Sequence, residues 1–97
     1  MKMKTILIDG EKYDNIEEIH NLFARGFDWT YYGNNLDALW DVLTSEERPF
    51  EIKWINVEES KKKIGHDCSS MISLLRKVEE RDKQRYPEAE RFIFIVE

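Results

Sequence analysis

Phe92-Ile93-Phe94-Ile95-Val96 is the longest apolar run in the sequence and predicts a β-strand near its end. Five consecutive apolar residues indicate a strand that is buried on both faces, as strands of parallel sheets are. Two further strands are predicted upstream, over residues 5–8 and 50–54. In the second of these, three apolar residues alternate with Glu51 and Lys53, which favours an edge strand.

Helical patterns fill the gaps between these strands. Asn15 with Glu18 three residues later forms a capping box for a first helix, and Gly26 is its predicted C-cap. Asn34 or Asn35 caps a second helix. Because helical crossovers join strands that run parallel, the sequence predicts an α/β domain with helices packed on a parallel sheet.

The remaining helical predictions follow from breakers and periodicity. The second helix runs to about Thr44, and Pro49 stands after its end. Residues 57–63 are predicted to hold a short helix, and a long amphipathic helix ends before Pro87. No repeat or linker interrupts the pattern, so residues 1–97 are predicted to form one domain.

Composition excludes several classes of protein. Hydrophobic residues make up 41% of the 97, which is too many for a disordered chain. No apolar run approaches the roughly 18 residues of a membrane helix, and no signal-peptide core follows the first residues. Cys68 is the single cysteine, which fits a reducing compartment. We therefore expect a cytoplasmic protein.

The charge is unevenly distributed along the chain. The net charge is −5, but residues 1–60 carry 13 acids and 6 bases, and residues 61–97 carry 7 acids and 9 bases. An acidic surface disfavours nucleic acid, whose phosphates need Lys and Arg, and attracts a basic partner. The alternative explanation is that the charge only keeps a small protein soluble.

The second helix carries an unusual acidic stripe. Leu36, Leu39 and Leu43 share one apolar face at helical spacing, whereas Asp37 and Asp41 lie together on another with no base between them. Two acids at this spacing repel by roughly 0.2–0.5 kcal/mol. Asp37 complements the helix dipole, but Asp41 lies a turn further in and gains little from it. An Asp at position 41 that destabilises the helix and has no evident structural role indicates a function.

Aromatic residues surround this stripe. Tyr31 and Tyr32 precede the helix, Trp29 comes just before them, and Trp40 borders the acids. Tyr and Trp next to charged groups are typical of interface hot spots, although Trp40 shares the leucine face and one tyrosine could simply support the loop. Gly33 would allow a positive φ or the close approach of a partner.

The fourteen residues from Tyr31 to Thr44, Tyr-Tyr-Gly-Asn-Asn-Leu-Asp-Ala-Leu-Trp-Asp-Val-Leu-Thr, resemble the central loop and helix of the barstar family. Barstars are intracellular inhibitors of the bacterial ribonuclease barnase. Residues 8–11, 16–22, 49–54 and 58–61 resemble the family more loosely, and the last 35 residues match only in their helix-then-strand pattern. The resemblance implies a three-stranded parallel sheet packed by three to four helices, no catalysis and no cofactor.

The resemblance also implies a binding surface that plugs a ribonuclease active site. Asp41 would be its central anchor at the position of an RNA phosphate, and Asp37 would pair with an active-site Arg. The whole predicted partner-binding set is Tyr31, Gly33, Asn35, Leu36, Asp37, Trp40, Asp41, Thr44 and Glu80. The expected partner is a small basic ribonuclease bound by a monomer, with no nucleic acid and no membrane involved, which suggests an antitoxin or immunity role.

Two positions depart from the family pattern. Glu46 stands where the family prototype has Trp, and Lys77 aligns with an interface Glu, so that Glu80 a turn later would replace it. The rim of the implied binding surface therefore differs from the family pattern, whereas its centre does not. This leaves open a barstar-like module for a basic partner that is not a ribonuclease. Family members can also have the bond before Pro49 in cis, and the sequence leaves its isomer open.

Other functions have weaker signals. His66-Asp67-Cys68 could suggest a thiol nucleophile or a metal site, and Asp37 with Asp41 could bind a divalent cation. Lys61-Lys62-Lys63 could suggest RNA binding, but a short basic run is usually solvated. His20 is expected to be a packed or surface histidine.

Overall fold

A computed structural model describes residues 3–97, which form three strands, four α-helices and one 3-10 turn. The strands are β1 (Lys4–Asp9), β2 (Phe50–Ile55) and β3 (Ile93–Val96). The helices are α1 (Ile16–Phe27), α2 (Leu36–Ser45), α3 (Val57–Ile64) and α4 (His66–Arg85), and the 3-10 turn covers Glu88–Glu90. The α/β prediction is confirmed, including the short helix before α4.

The sheet is parallel with the order β1-β2-β3, so β2 is the central strand. The expectation that β2 is an edge strand was wrong, and so was burial of both faces of β3. Alternate residues in β2 are buried because helices cover only one face of the sheet. Ile93 of β3 faces away from them and is 37% exposed.

The core lies between the covered face and the helices. Ile6, Ile52 and Phe94 are in register across the three strands and are buried. Leu39 of α2 and Leu75 of α4 are fully buried against the same cluster. Burial of such side chains stabilises by about 1.5–3 kcal/mol each, so this contact holds α2 in place.

The end of α1 differs from the sequence-based expectation. Gly26 is not the C-cap, because the helix continues to Phe27 and Asp28 takes the left-handed conformation with φ 60°. A Cβ added to Gly26 would lie 2.1 Å from Ile6 Cδ1, so the Ile6 side chain would have to shift for helix α1 to pack as closely on β1.

A buried ion pair connects distant parts of the chain. The Asp82 carboxylate on α4 accepts hydrogen bonds at 2.9 Å from Arg48 Nε and from Arg48 Nη2, and a third at 2.9 Å from the Phe92 amide. Arg48 also lies over the Phe50 and Tyr86 rings. The loop before β2, helix α4 and the start of β3 are thereby joined. The Arg48–Pro49 peptide bond is cis.

Candidate functional site

Helix α2 presents the acidic stripe from a fixed position. Asn35 caps the helix by accepting a hydrogen bond from the Ala38 amide at 2.8 Å, which decides between the two candidate caps. Leu39 and Leu43 are fully buried in the core. The opposite side of the helix must therefore face solvent.

Asp37 and Asp41 are both exposed on that side. Among residues 3–97, no Lys, Arg or His nitrogen forms an ion pair with either carboxylate. At i and i+4 on one helix, their Cβ atoms are about 5–6 Å apart. The site therefore holds two neighbouring negative charges that form no ion pair within the described part of the chain.

The α1–α2 loop, residues 28–35, is fastened to the body of the protein. Trp29 donates from Nε1 to Glu46 Oε1 at 3.0 Å and stacks on Phe27 with centroids 4.8 Å apart. Asn34, which has a φ of 50°, donates from Nδ2 to two side chains of α1, Glu17 and Asn21. These contacts restrict the loop before any partner binds.

Tyr32 and His20 form a second attachment of this loop. Tyr32 Oη and His20 Nδ1 are hydrogen bonded, and the Tyr32 ring lies 5.0 Å from Trp29. Burial lowers the pKa of His20, outweighing the nearby carboxylates of Glu17 and Asp67, and burial raises the pKa of the Tyr32 hydroxyl. Tyr32 is thus the tyrosine that supports the loop, and His20 is a packed histidine, as expected.

Tyr31 is different, because its side chain is 98% exposed. A large aromatic side chain held in water loses the free energy that burial would supply, which is typical of a residue that packs in a complex. Gly33 and Asn35 beside it are also exposed, and the Asn35 amide donates to the Gly33 carbonyl at 3.2 Å. Of the two roles considered for Gly33, a positive φ is taken by Asn34 instead, and the close approach of a partner stays a prediction.

A groove of about 520 Å³ runs between α2 and α4. Leu36 and Trp40 of α2 and Leu74 of α4 supply its apolar lining, and Asp37 and Lys77 supply charges of opposite sign. Trp40 is half-buried against the edge of the core and also lines the groove, so it belongs only in part to the core, and its contact with a partner stays a prediction. The groove extends the surface of the stripe across to α4.

Two predicted site residues contribute less directly. The Thr44 hydroxyl donates to the Trp40 carbonyl at 2.8 Å, so it is turned toward its own helix. Glu80 is exposed on α4 but forms an ion pair with Lys83 at 3.8 Å, and it does not line the groove. The structure therefore brings the loop and α2 residues together, and Glu80 lies outside the groove.

Comparison with known proteins identifies the family. A family model described as "Barstar (barnase inhibitor)" matches residues 3–95. The chain belongs to the barstar family. A protein of Bacillus subtilis (strain 168) named "Putative ribonuclease inhibitor YrdF" is 34% identical over 86 residues, which is 87% of this chain and 94% of that protein. The resemblance drawn from the sequence is confirmed, and barstars are inhibitors rather than enzymes.

Within this barstar-family chain, Glu46 has a structural role that the sequence did not reveal. Its carboxylate accepts the Trp29 hydrogen bond and lies 3.5 Å from Lys4 Nζ, and the side chain is only 12% exposed. Glu46 is therefore a support for the α1–α2 loop and β1 rather than a free charge at the rim. Trp29 and Glu46 are 17 positions apart, and no local pattern signals such a contact.

The rival interpretations find little support in this barstar fold. Cys68 is buried, and burial raises its pKa, which is the opposite of an activated thiol. Residues 3–97 contain no group of three or more side chains suited to a metal ion. Lys61, Lys62 and Lys63 each form an ion pair with an acidic residue. No helix in the described range is long and apolar enough to cross a bilayer.

Proposed function

We propose that this protein inhibits a small basic ribonuclease by placing α2 and the α1–α2 loop over the active site of the enzyme. The observation that carries the proposal is the pair of exposed carboxylates, Asp37 and Asp41, which form no ion pair within residues 3–97 and lie on a helix fixed by the core. Membership of the barstar family supports it, as does the name of the Bacillus subtilis relative.

The chemistry of the nuclease explains why carboxylates suit this surface. A ribonuclease collects cationic side chains to hold the RNA phosphate, and these can donate charge-assisted hydrogen bonds to a carboxylate in the same place. Asp has few rotamers and α2 is rigid, so little entropy is lost when the complex forms. We assign Asp41 to the phosphate position and Asp37 to a neighbouring Arg.

The other residues of the surface surround this centre. Tyr31 would pack on the nuclease, and Gly33 and Asn35 would let its backbone approach the loop closely. Leu36 and Trp40 would contribute the apolar wall of the groove, with Thr44 at the end of the stripe. Since Glu80 is engaged with Lys83, its contribution would be a weak one at the rim.

The proposal includes the mode of action. One chain would block one nuclease molecule without catalysing any reaction, and it would do so in the cytoplasm of a cell that needs protection from the enzyme. The alternative partner, a basic protein that is not a ribonuclease, would use the same stripe. Tight binding to a basic protein without any loss of RNA hydrolysis would indicate this alternative partner.

A titration of ribonuclease activity tests this proposal. Barnase or a related small basic ribonuclease cleaves a fluorogenic RNA, and the native chain should abolish cleavage at one equivalent. Asp41→Asn should weaken inhibition strongly, while Glu90→Gln removes the same charge from an exposed position outside the surface and should not. Equal loss in the two variants, or no inhibition of any such nuclease, would refute it.

A further inference from the structure

The sheet face opposite the helices is uncovered. Its outward side chains come from all three strands and lie in register, with Leu7 beside Lys53 and Lys53 beside Ile95. Glu51 and Ile93 occupy the neighbouring row. This surface is called the open face below, and its side chains are Thr5, Leu7, Glu51, Lys53, Ile55, Ile93 and Ile95.

An open face is unusual for a parallel sheet, because such sheets are normally covered on both sides. Leu7 is 51% exposed and Ile93 is 37% exposed, although both are large apolar residues. The apolar run of residues 92–96 predicts a strand buried on both faces, and the single chain buries only one. The sheet thus has large apolar side chains that no other part of the single chain within residues 3–97 covers.

The two charges in the central strand indicate what could cover this face. Glu51 and Lys53 are two residues apart in β2, so their side chains point out of the same face. Suppose that two copies pack face to face with antiparallel β2 strands, related by a two-fold axis level with Ile52. Glu51 of each copy then lies over Lys53 of the other. With parallel β2 strands, Glu51 would face Glu51 and repel it.

The flanking residues fit the same arrangement. The antiparallel two-fold places β1 over β1 and β3 over β3, so Ile93 of one copy lies over Ile95 of the other, and Leu7 over Thr5. Packed sheets are about 10 Å apart, a gap that a Lys and a Glu side chain pointing at each other can span. The face is therefore complementary to itself in both charge and apolar contact.

We propose that the occupant of the open face is a second copy of this chain, in a two-fold dimer with antiparallel β2 strands. Lys53 is available for it, since its present partner, Glu97 at 3.8 Å, is 60% exposed and the pair is weak. Helices α1, α2 and α4 lie on the other side of the sheet. The acidic stripe would remain free in the dimer, which places this proposal beyond the inhibitory surface and makes it independent of it.

Sedimentation velocity with charge-reversed variants tests the dimer. The native chain should shift from 11.7 kDa toward twice that mass as its concentration rises to about 1 mM. Glu51→Lys alone and Lys53→Glu alone should each stay monomeric, because like charges would then face each other. An equimolar mixture of the two variants should dimerise again, since both facing pairs then become opposite in sign.

Control measurements separate this result from other causes. Lys62→Glu reverses an exposed charge on α3 and should leave the mass distribution unchanged. Circular dichroism of each variant should show native helix content, and ribonuclease inhibition should be unaffected by Glu51→Lys. A native chain that stays at 11.7 kDa throughout would overturn the proposal. So would a mixture that stays monomeric, or a dimer that Asp41→Ala disrupts.

Discussion

Asp82 and Asp41 are the same residue type on neighbouring helices, yet their surroundings are opposite. Asp82 is fully buried, and its two oxygens accept three hydrogen bonds from Arg48 and the Phe92 amide. Asp41 is exposed and has no cationic partner in the described structure. The first carboxylate is paired within the chain, whereas the second has no such partner within residues 3–97, and we propose that a nuclease supplies it.

The difference indicates how a small domain can combine stability with binding. A buried carboxylate must be paired, because an uncompensated charge in the interior is very costly. An exposed carboxylate costs little while water solvates it, and a rigid helix holds it ready for a cationic pocket. Stability and binding should therefore respond separately to substitutions at the two positions.

The largest expected effect is on stability at Asp82. Asp82→Ala should lower the free energy of unfolding by about 3–5 kcal/mol, because it leaves Arg48 buried without its partner. Urea unfolding followed by circular dichroism measures this change. Asp67→Ala, at an exposed position in the first turn of the same helix, is the control and should cost much less. Equal losses would show that Asp82 does not hold the structure together.

The next effect is on binding at Asp41. Asp41→Ala should weaken ribonuclease inhibition by about 2–5 kcal/mol, the range for truncating one partner of a buried charge pair, for which complexes of this family are a standard example. Its unfolding free energy should stay unchanged or rise by about 0.2–0.5 kcal/mol, because repulsion from Asp37 is removed. The inhibition constant and a urea titration together check this. A large loss of stability would erase the contrast with Asp82.

A smaller effect is expected where the α1–α2 loop is attached. Tyr32→Phe keeps the ring contacts but removes the hydrogen bond to His20, which should cost about 0.5–1.5 kcal/mol of unfolding free energy. Inhibition should weaken modestly as the loop loosens. Tyr31→Phe is the matched control for stability. Because Tyr31 is 98% exposed, this substitution should leave the free energy of unfolding unchanged. Thermal unfolding of both variants distinguishes the supporting tyrosine from the exposed one.

The same attachment should make stability depend on pH. Burial keeps the pKa of His20 below its ordinary 6.5, so below that pH the unfolded chain binds a proton that the folded chain does not. The stabilisation that comes from keeping His20 neutral should therefore be fully present above about pH 6.5, and the free energy of unfolding should decrease as the pH falls below it. His20→Gln should flatten the curve of unfolding free energy between pH 7 and 5. An unchanged slope in this variant would assign the effect to other groups.

Local signals were enough to predict the helix that carries the stripe. A cap at Asn34 or Asn35 and the leucine spacing of α2 depend on neighbouring residues; the leucine spacing is confirmed, and the structure places the cap at Asn35. The positions of the strands in the sheet were not predictable in this way, because β2 is central only through its pairing with β1 and β3. Alternation in β2 reports one covered face, and it cannot tell a central strand from an edge strand.

Contacts between residues that are far apart in the sequence also could not be predicted. The sequence shows Asp82 as one charge among several on a polar helix, and its partner Arg48 is 34 positions away. Glu46 was similar, since it read as a change at the rim until the Trp29 contact gave it a structural role. The family resemblance supplied the site residues, but the distinction between Tyr31 and Tyr32 required coordinates.

The smallest effect should come from Lys77 at the edge of the groove. Lys77 is exposed, lines the groove opposite Asp37 and has no ion-pair partner within residues 3–97. An exposed charge at a rim contributes about 0.2–1 kcal/mol and acts mainly on the association rate. Lys77→Glu should therefore speed association with a nuclease that is basic at the facing position and slow it with one that is acidic there. Stopped-flow association rates at low and high salt check this, with Lys62→Glu as the control for net charge. A change confined to the dissociation rate would mean that Lys77 packs inside the complex. Lys77 would then differ both from Asp82, which is buried within the chain, and from Asp41, which is exposed, because it would be buried only on binding.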